Sequence, residues 1–137
     1  MNRSDTAVGT FQEGYNCSQA VFSAYCEEFG VDVETAYKIS SGFGGGMHLG
    51  SVCGVVTGAF MVLGLKFGEG KKRPYDKIAE FSELFRGRNE SISCGDLLGA
   101  DIRMDEGKAK AKSEGLFDSV CTKLIKDACE ILDEMGV

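Results

Sequence analysis

Proline is nearly missing from this chain of 137 residues; Pro74 is the only one. Little therefore interrupts helices, and the 19 glycines supply the turns between them. Histidine is just as scarce, with His48 alone. No serine or carboxylate partner is signalled beside it, so it reads as a residue of a glycine loop rather than as a general base, haem ligand or metal ligand. No CxxC occurs, so neither a zinc knuckle nor a thioredoxin-type pair is signalled, and without CxxCH there is no c-type haem attachment. The longest apolar run, Val52 to Leu65, is broken by glycines and Thr57 and is too short for an ordinary transmembrane helix. The first residues, MNRSDTAVGTFQEG, lack the apolar core of a signal peptide. No segment alternates with a period of two, so no strand is expected.

The charge is one-sided. A net charge of −6 disfavours non-specific nucleic-acid binding and attraction to anionic membranes. With 43% apolar and 26% charged residues the chain reads as globular, and its length suits one domain, 1–137. A cytoplasmic location and no membrane insertion are expected. The fold expected is all-α, a compact multi-helix bundle around a central glycine-rich loop and a buried helix. In a reducing compartment six cysteines point to a metal, a cluster, a redox pair or buried apolar side chains rather than to structural disulfides.

Helix periodicity and caps give the order of elements. A short helix over Asp5–Glu13 is capped by Asp5 and turns Ala7, Val8 and Phe11 inward. A second begins at Cys17 with Asn16 as N-cap, and Gly30 closes that stretch. Tyr15 reads as a packing residue. Asp32 opens a third helix, Val33–Ser40, with Ala36, Tyr37 and Ile39 inward. The loop Gly42-Phe-Gly-Gly-Gly-Met-His-Leu-Gly50 is not a phosphate loop, because no Lys-Ser or Lys-Thr follows in register and no strand precedes it. Its open N–H groups at Gly44, Gly45 and Gly46 suit an anion, a sulfide or a thiolate; otherwise it is a tight crossover.

The buried helix is expected to start near Ser51 or Val52, with Ser51 as cap and Cys53 in its first turn. There the free N–H groups favour a thiolate. Gly54, Gly58 and Ala59 leave one side thin enough for another element to approach. Lys71, Lys72, Arg73 and Lys77 form a basic patch around Pro74. A fifth helix follows to Arg88, with Ile78, Phe81, Leu84 and Phe85 as its apolar stripe. Ser93, with Asp96 as partner in a capping box, starts a short turn at Cys94. The polar stretch Ala100–Ser113 reads as loop. The last helix, about Gly115–Met135, buries Phe117, Cys121, Leu124, Ala128, Ile131 and Met135.

Three cysteines thus sit at element starts and one on an apolar helix face. The stretches Gly14-Tyr-Asn-Cys17-Ser-Gln-Ala-Val, Gly42-Phe-Gly-Gly-Gly46 and Cys53-Gly-Val-Val-Thr-Gly58, with Cys94 and Cys121, resemble the redox-active protein family named for its C, GCAxxG, C, C pattern. The likeness covers nearly the whole chain. Val55 stands where the family motif has alanine, an apolar and modest departure. By position the resemblance assigns Cys17, Cys53, Cys94 and Cys121, and leaves Cys26 and Cys129 as extra, buried apolar side chains. It implies a bacterial or archaeal redox domain with no established enzymatic reaction.

Four thiolates are the usual ligand set of a [2Fe–2S] or [4Fe–4S] cluster, so an iron–sulfur electron carrier is the first expectation. A thiol–disulfide protein, with Cys53 attacking and Cys17 or Cys94 resolving, is the second, and a structural four-cysteine zinc site the third. An electron carrier implies a redox partner protein, met by the Lys71–Lys77 patch. A homodimer is compatible with the sequence.

Overall fold

The structure is a computed structural model and describes residues 2–137. Among these residues the fold is all-α. The helices are α1 (Arg3–Gln12), α2 (Cys17–Tyr25), α3 (Val33–Ser40), α4 (Gly54–Phe67), α5 (Tyr75–Asn89), α6 (Cys94–Leu98), α7 (Asp105–Ser113) and α8 (Leu116–Glu134). A 3₁₀ turn, Cys26–Phe29, extends α2 and ends on Gly30, whose φ of 81° completes the left-handed cap. No helix is long and apolar enough to cross a membrane among the described residues.

The caps set the N-terminal half. Asn16 accepts from the Gln19 N–H while the Gln19 side chain accepts from the Asn16 N–H, a reciprocal box that fixes Cys17 as the first residue of α2. Asp32 accepts from Thr35 at the start of α3. For α1 the cap is Asn2, which accepts from the Asp5 N–H, so Asp5 lies inside the first turn rather than capping it. Tyr15 stacks on Tyr37 at 4.0 Å.

The core lies where α2, α4 and α8 meet. α4 is apolar on nearly every side and packs against α2 across its small residues. A Cβ on Gly58 would lie 2.8 Å from the Ser18 carbonyl oxygen, so only glycine allows this approach. Leu124, Ile125, Ala128, Cys129, Ile131 and Leu132 of α8 are buried against these helices. Phe81 and Phe85 of α5 stack at 5.9 Å. Cys26 and Cys129 are fully buried in this core, as expected of apolar side chains. Leu84 and Ile39 depart from expectation: both point largely outward, 40% and 50% exposed. Ser82 takes the inward place beside Phe81 and Phe85 on α5, its hydroxyl donating to the Ile78 carbonyl.

Residues 105–113, expected as loop, form α7. The apolar pattern that would reveal it is absent, since Ala111 is its one buried residue. With Cys94, Leu98 and Ile102, Ala111 makes a second, smaller core that closes over one end of the bundle.

Candidate redox site

Two short segments hold Cys53 and Cys94 side by side. The Cys53 N–H donates to the Ile92 carbonyl at 2.7 Å and the Cys94 N–H donates to the Ser51 carbonyl at 2.6 Å. This reciprocal pair is a single antiparallel bridge, Val52 to Ser93. It also moves the start of α4. The helix begins at Gly54, and Cys53 is the capping residue, with extended backbone and no capping side chain. Neither Ser51 nor Val52 opens it, because Ser51 is committed to the bridge. At Cys94 the expected box also fails: Ser93 makes no cap bond, and Asp96 accepts instead from the Ser91 hydroxyl.

Cys17 reaches the same place from α2, and Cys121 from α8. Together the four cysteines line one cavity of about 170 Å³, closed by Phe11, Leu97, Leu98, Phe117 and Leu124, with Asn16 and Gly45 at one side. Engineered apolar cavities of about 150 Å³ admit benzene, so this one has room for a small body of several atoms. Cys17, Cys53 and Cys94 are each less than one-tenth exposed; Cys121 is half-buried. All six cysteines are free thiols. Among the described residues no three His, Cys, Asp or Glu side chains converge to hold a single metal ion.

The glycines take their roles from contacts. A Cβ on Gly54 would sit 2.4 Å from the Cys17 sulfur. One on Gly46 would sit 2.4 Å from the Ser51 nitrogen and 2.9 Å from the Cys94 Cβ. One on Gly44 would meet the Asn16 side chain at 2.5 Å. Of the three loop glycines expected to donate, Gly45 alone lines the cavity, and its N–H bonds the Cys17 sulfur. Gly44 and Gly46 stand in close contact with Asn16 and with Ser51 and Cys94, where a side chain would not fit.

The loop itself is a turn of left-handed helix. Gly45, Gly46, Met47 and His48 have φ of 62°, 61°, 60° and 58°. Met47 and His48 hold a conformation that costs a side-chain-bearing residue about 1–2 kcal/mol each. Nothing in the sequence marks these two positions.

The acidity of the site falls on Cys17. The Cys53 thiol donates to its sulfur, and the N–H groups of Gly45, Ser18 and Cys17 also point to it; against burial, these draw it down from 9.0 to about 7. Cys53, expected as the first-turn thiolate, is pushed well up by donating to Cys17, by burial and by the Cys17 charge. The chief cause is the interaction between the two thiols, which lowers the accepting sulfur and raises the donor; the helix start adds to it, since Cys17 has the free N–H groups of a first turn whereas Cys53 lies one residue outside its helix. Burial pushes Cys94 up to about 11 and Cys121 up to about 12.

Phe117, Cys121 and Leu124 lie four and three residues apart on α8, so helical spacing marks these two apolar lining residues. Phe11 is likewise marked by its place on the inward side of α1, whereas Leu97 and Leu98 carry no such signal.

The family model described as "Putative redox-active protein (C_GCAxxG_C_C)" matches residues 15–135. The chain belongs to this family. The match spans all four cavity cysteines and the glycine turn. No curated protein and no solved structure matches the chain.

Proposed function

We propose that this redox-active family member carries an iron–sulfur cluster on Cys17, Cys53, Cys94 and Cys121 and transfers electrons. The observation that carries the reading is that four cysteines from four separate segments line one otherwise mainly apolar cavity. Thiolates are the usual donor set for such clusters, and the donors surround a volume instead of meeting at a point. A structural zinc ion on the same four cysteines is the alternative, told apart from a cluster by the metal and sulfide content. When bound, the cluster would supply one-electron chemistry. The protein's part is to hold the four sulfurs, exclude water with Phe11, Leu98, Phe117 and Leu124, and stabilise negative charge at Cys17 through the Gly45 and Ser18 N–H groups.

A partner would exchange electrons where the cavity lies nearest the surface. The basic Lys71–Arg73 turn follows the far end of α4, a helix of 14 residues and so about 21 Å long. That separation makes it a poor place for direct transfer.

Anaerobic purification, with iron and acid-labile sulfide measured beside a visible spectrum, tests the reading. Iron with sulfide in comparable amounts supports it; protein that stays colourless after anaerobic incubation with iron and sulfide overturns it. A second reading, thiol–disulfide exchange, is favoured by the direct Cys53–Cys17 contact and the acidity of Cys17. It requires that a disulfide oxidant convert these two thiols into one disulfide, the oxidant gaining the two electrons and two protons.

A further inference from the structure

A groove of about 400 Å³ lies directly outside the sulfur cavity. Asn16, Gly45 and Phe117 line both, so groove and cavity share this part of their walls. Its outer rim carries His48 and Lys108, both exposed. Lys108 takes part in none of the ion pairs formed among the described residues. His48 lines the groove with its backbone held left-handed at φ 58°. Strain of this kind persists where the surroundings over-determine it, and it concentrates at ligand sites. In a chain of net charge −6, the Lys108 ammonium at the groove opposes the overall field.

We propose that this groove is the port to the sulfur cavity and selects small anions, with Lys108 and His48 holding a carboxylate or phosphate group while the rest of the molecule passes Phe117. The port does not require that the cavity hold a cluster. It concerns access to the thiols in either redox reading.

Iodoacetate and iodoacetamide test it, being nearly equal in size and different in charge. Each alkylates a thiolate: the sulfur–carbon bond forms and iodide leaves. The full-length protein, reduced and free of metal, is treated with each reagent at fixed pH and low salt, and the rate at Cys17 is read by peptide mass. The quantity of interest is the ratio of the two rates, divided by the same ratio for a small free thiol. Because both reagents meet the same thiolate, this ratio is insensitive to Cys17 acidity.

The expected ratio exceeds that of Lys108→Gln by about fivefold, and the excess shrinks at high salt. Lys108→Arg retains it, His48→Gln lowers it, and Lys71→Gln, at the remote basic turn, leaves it alone. A ratio unchanged in both Lys108→Gln and His48→Gln overturns the port, as does an equal loss in Lys71→Gln. Failure of the cluster reading would appear separately, in iron and sulfide content.

Discussion

The Cys53 thiol stands beside the sulfur of Cys17, and of the two groups Cys17 is the more acidic. Position in the fold adds to the effect of the thiol–thiol contact. Cys17 opens a capped helix and collects three backbone N–H groups, while Cys53 stands outside its helix with its own N–H committed to Ile92. Whatever enters the cavity meets one thiol that ionises near neutral pH and three that resist ionisation.

Removal of the donor reverses the acidity. In metal-free protein Cys17 should alkylate with a midpoint near pH 7. In Cys53→Ala the largest cause lowering it is gone and burial remains, so the midpoint moves upward. A pH profile of alkylation rate measures this; an unchanged midpoint means that the backbone N–H groups alone set it.

The same group makes stability depend on pH. Cys17 is depressed in the folded state, from 9.0 to about 7. Its contribution is therefore complete above about pH 9 and is lost as pH falls through 7. Shared with Cys53, it amounts to something on the order of 1 kcal/mol. Cys94 and Cys121 have the opposite sign: raised to about 11 and about 12, they stabilise fully below pH 9 and progressively less above it. Denaturant titration of metal-free protein should show stability rising from pH 7 towards 9 and falling beyond. Cys17→Ala should flatten the rise and leave the fall.

The cap chemistry of α2 and α3 is legible in the sequence because both helices begin with an oxygen-bearing side chain three residues from its target. The start of α4 is not, because its capping residue is a cysteine held by the distant Ile92 carbonyl. Helix α7 escapes for a different reason: it lies on the surface and buries Ala111 alone, so no periodicity betrays it. The gathering of Cys17, Cys53, Cys94 and Cys121 is suggested by the family pattern, but their common cavity arises from tertiary packing. The left-handed turn at Met47 and His48 breaks local preference altogether, and such conflicts are where function concentrates.

Within α4, two glycine-to-alanine changes should have opposite effects. Gly64 faces open space, so Gly64→Ala should stabilise by about 0.5–1 kcal/mol through helix propensity. Gly54→Ala sets a methyl 2.4 Å from the Cys17 sulfur, with the Phe43 carbonyl at 3.0 Å behind it. It should destabilise by about 1–3 kcal/mol and displace Cys17 from the cavity. Melting curves of the two variants, with iron content of each after anaerobic incubation with iron and sulfide, decide it. Equal behaviour would mean that α2 yields at this contact.

The six cysteines should divide four to two. Alanine at Cys17, Cys53, Cys94 or Cys121 should abolish stable iron and sulfide retention, each removing one donor from the same cavity. Cys26→Ala and Cys129→Ala should retain both, at a stability loss of about 1–2 kcal/mol for a small buried side chain. Loss of iron in either of the latter would place a ligand outside the cavity.

His48→Gly separates strain from use. Glycine accepts a φ of 58° freely, so the substitution should stabilise the protein by about 1 kcal/mol. It also removes a side chain from the rim of the groove, so the preference for iodoacetate at Cys17 should fall. A residue kept only for packing would show the reverse, with stability lost and reagent preference intact. The pairing of a higher melting temperature with a weaker anion preference is the signature of a side chain held against its backbone preference for the sake of what enters the cavity.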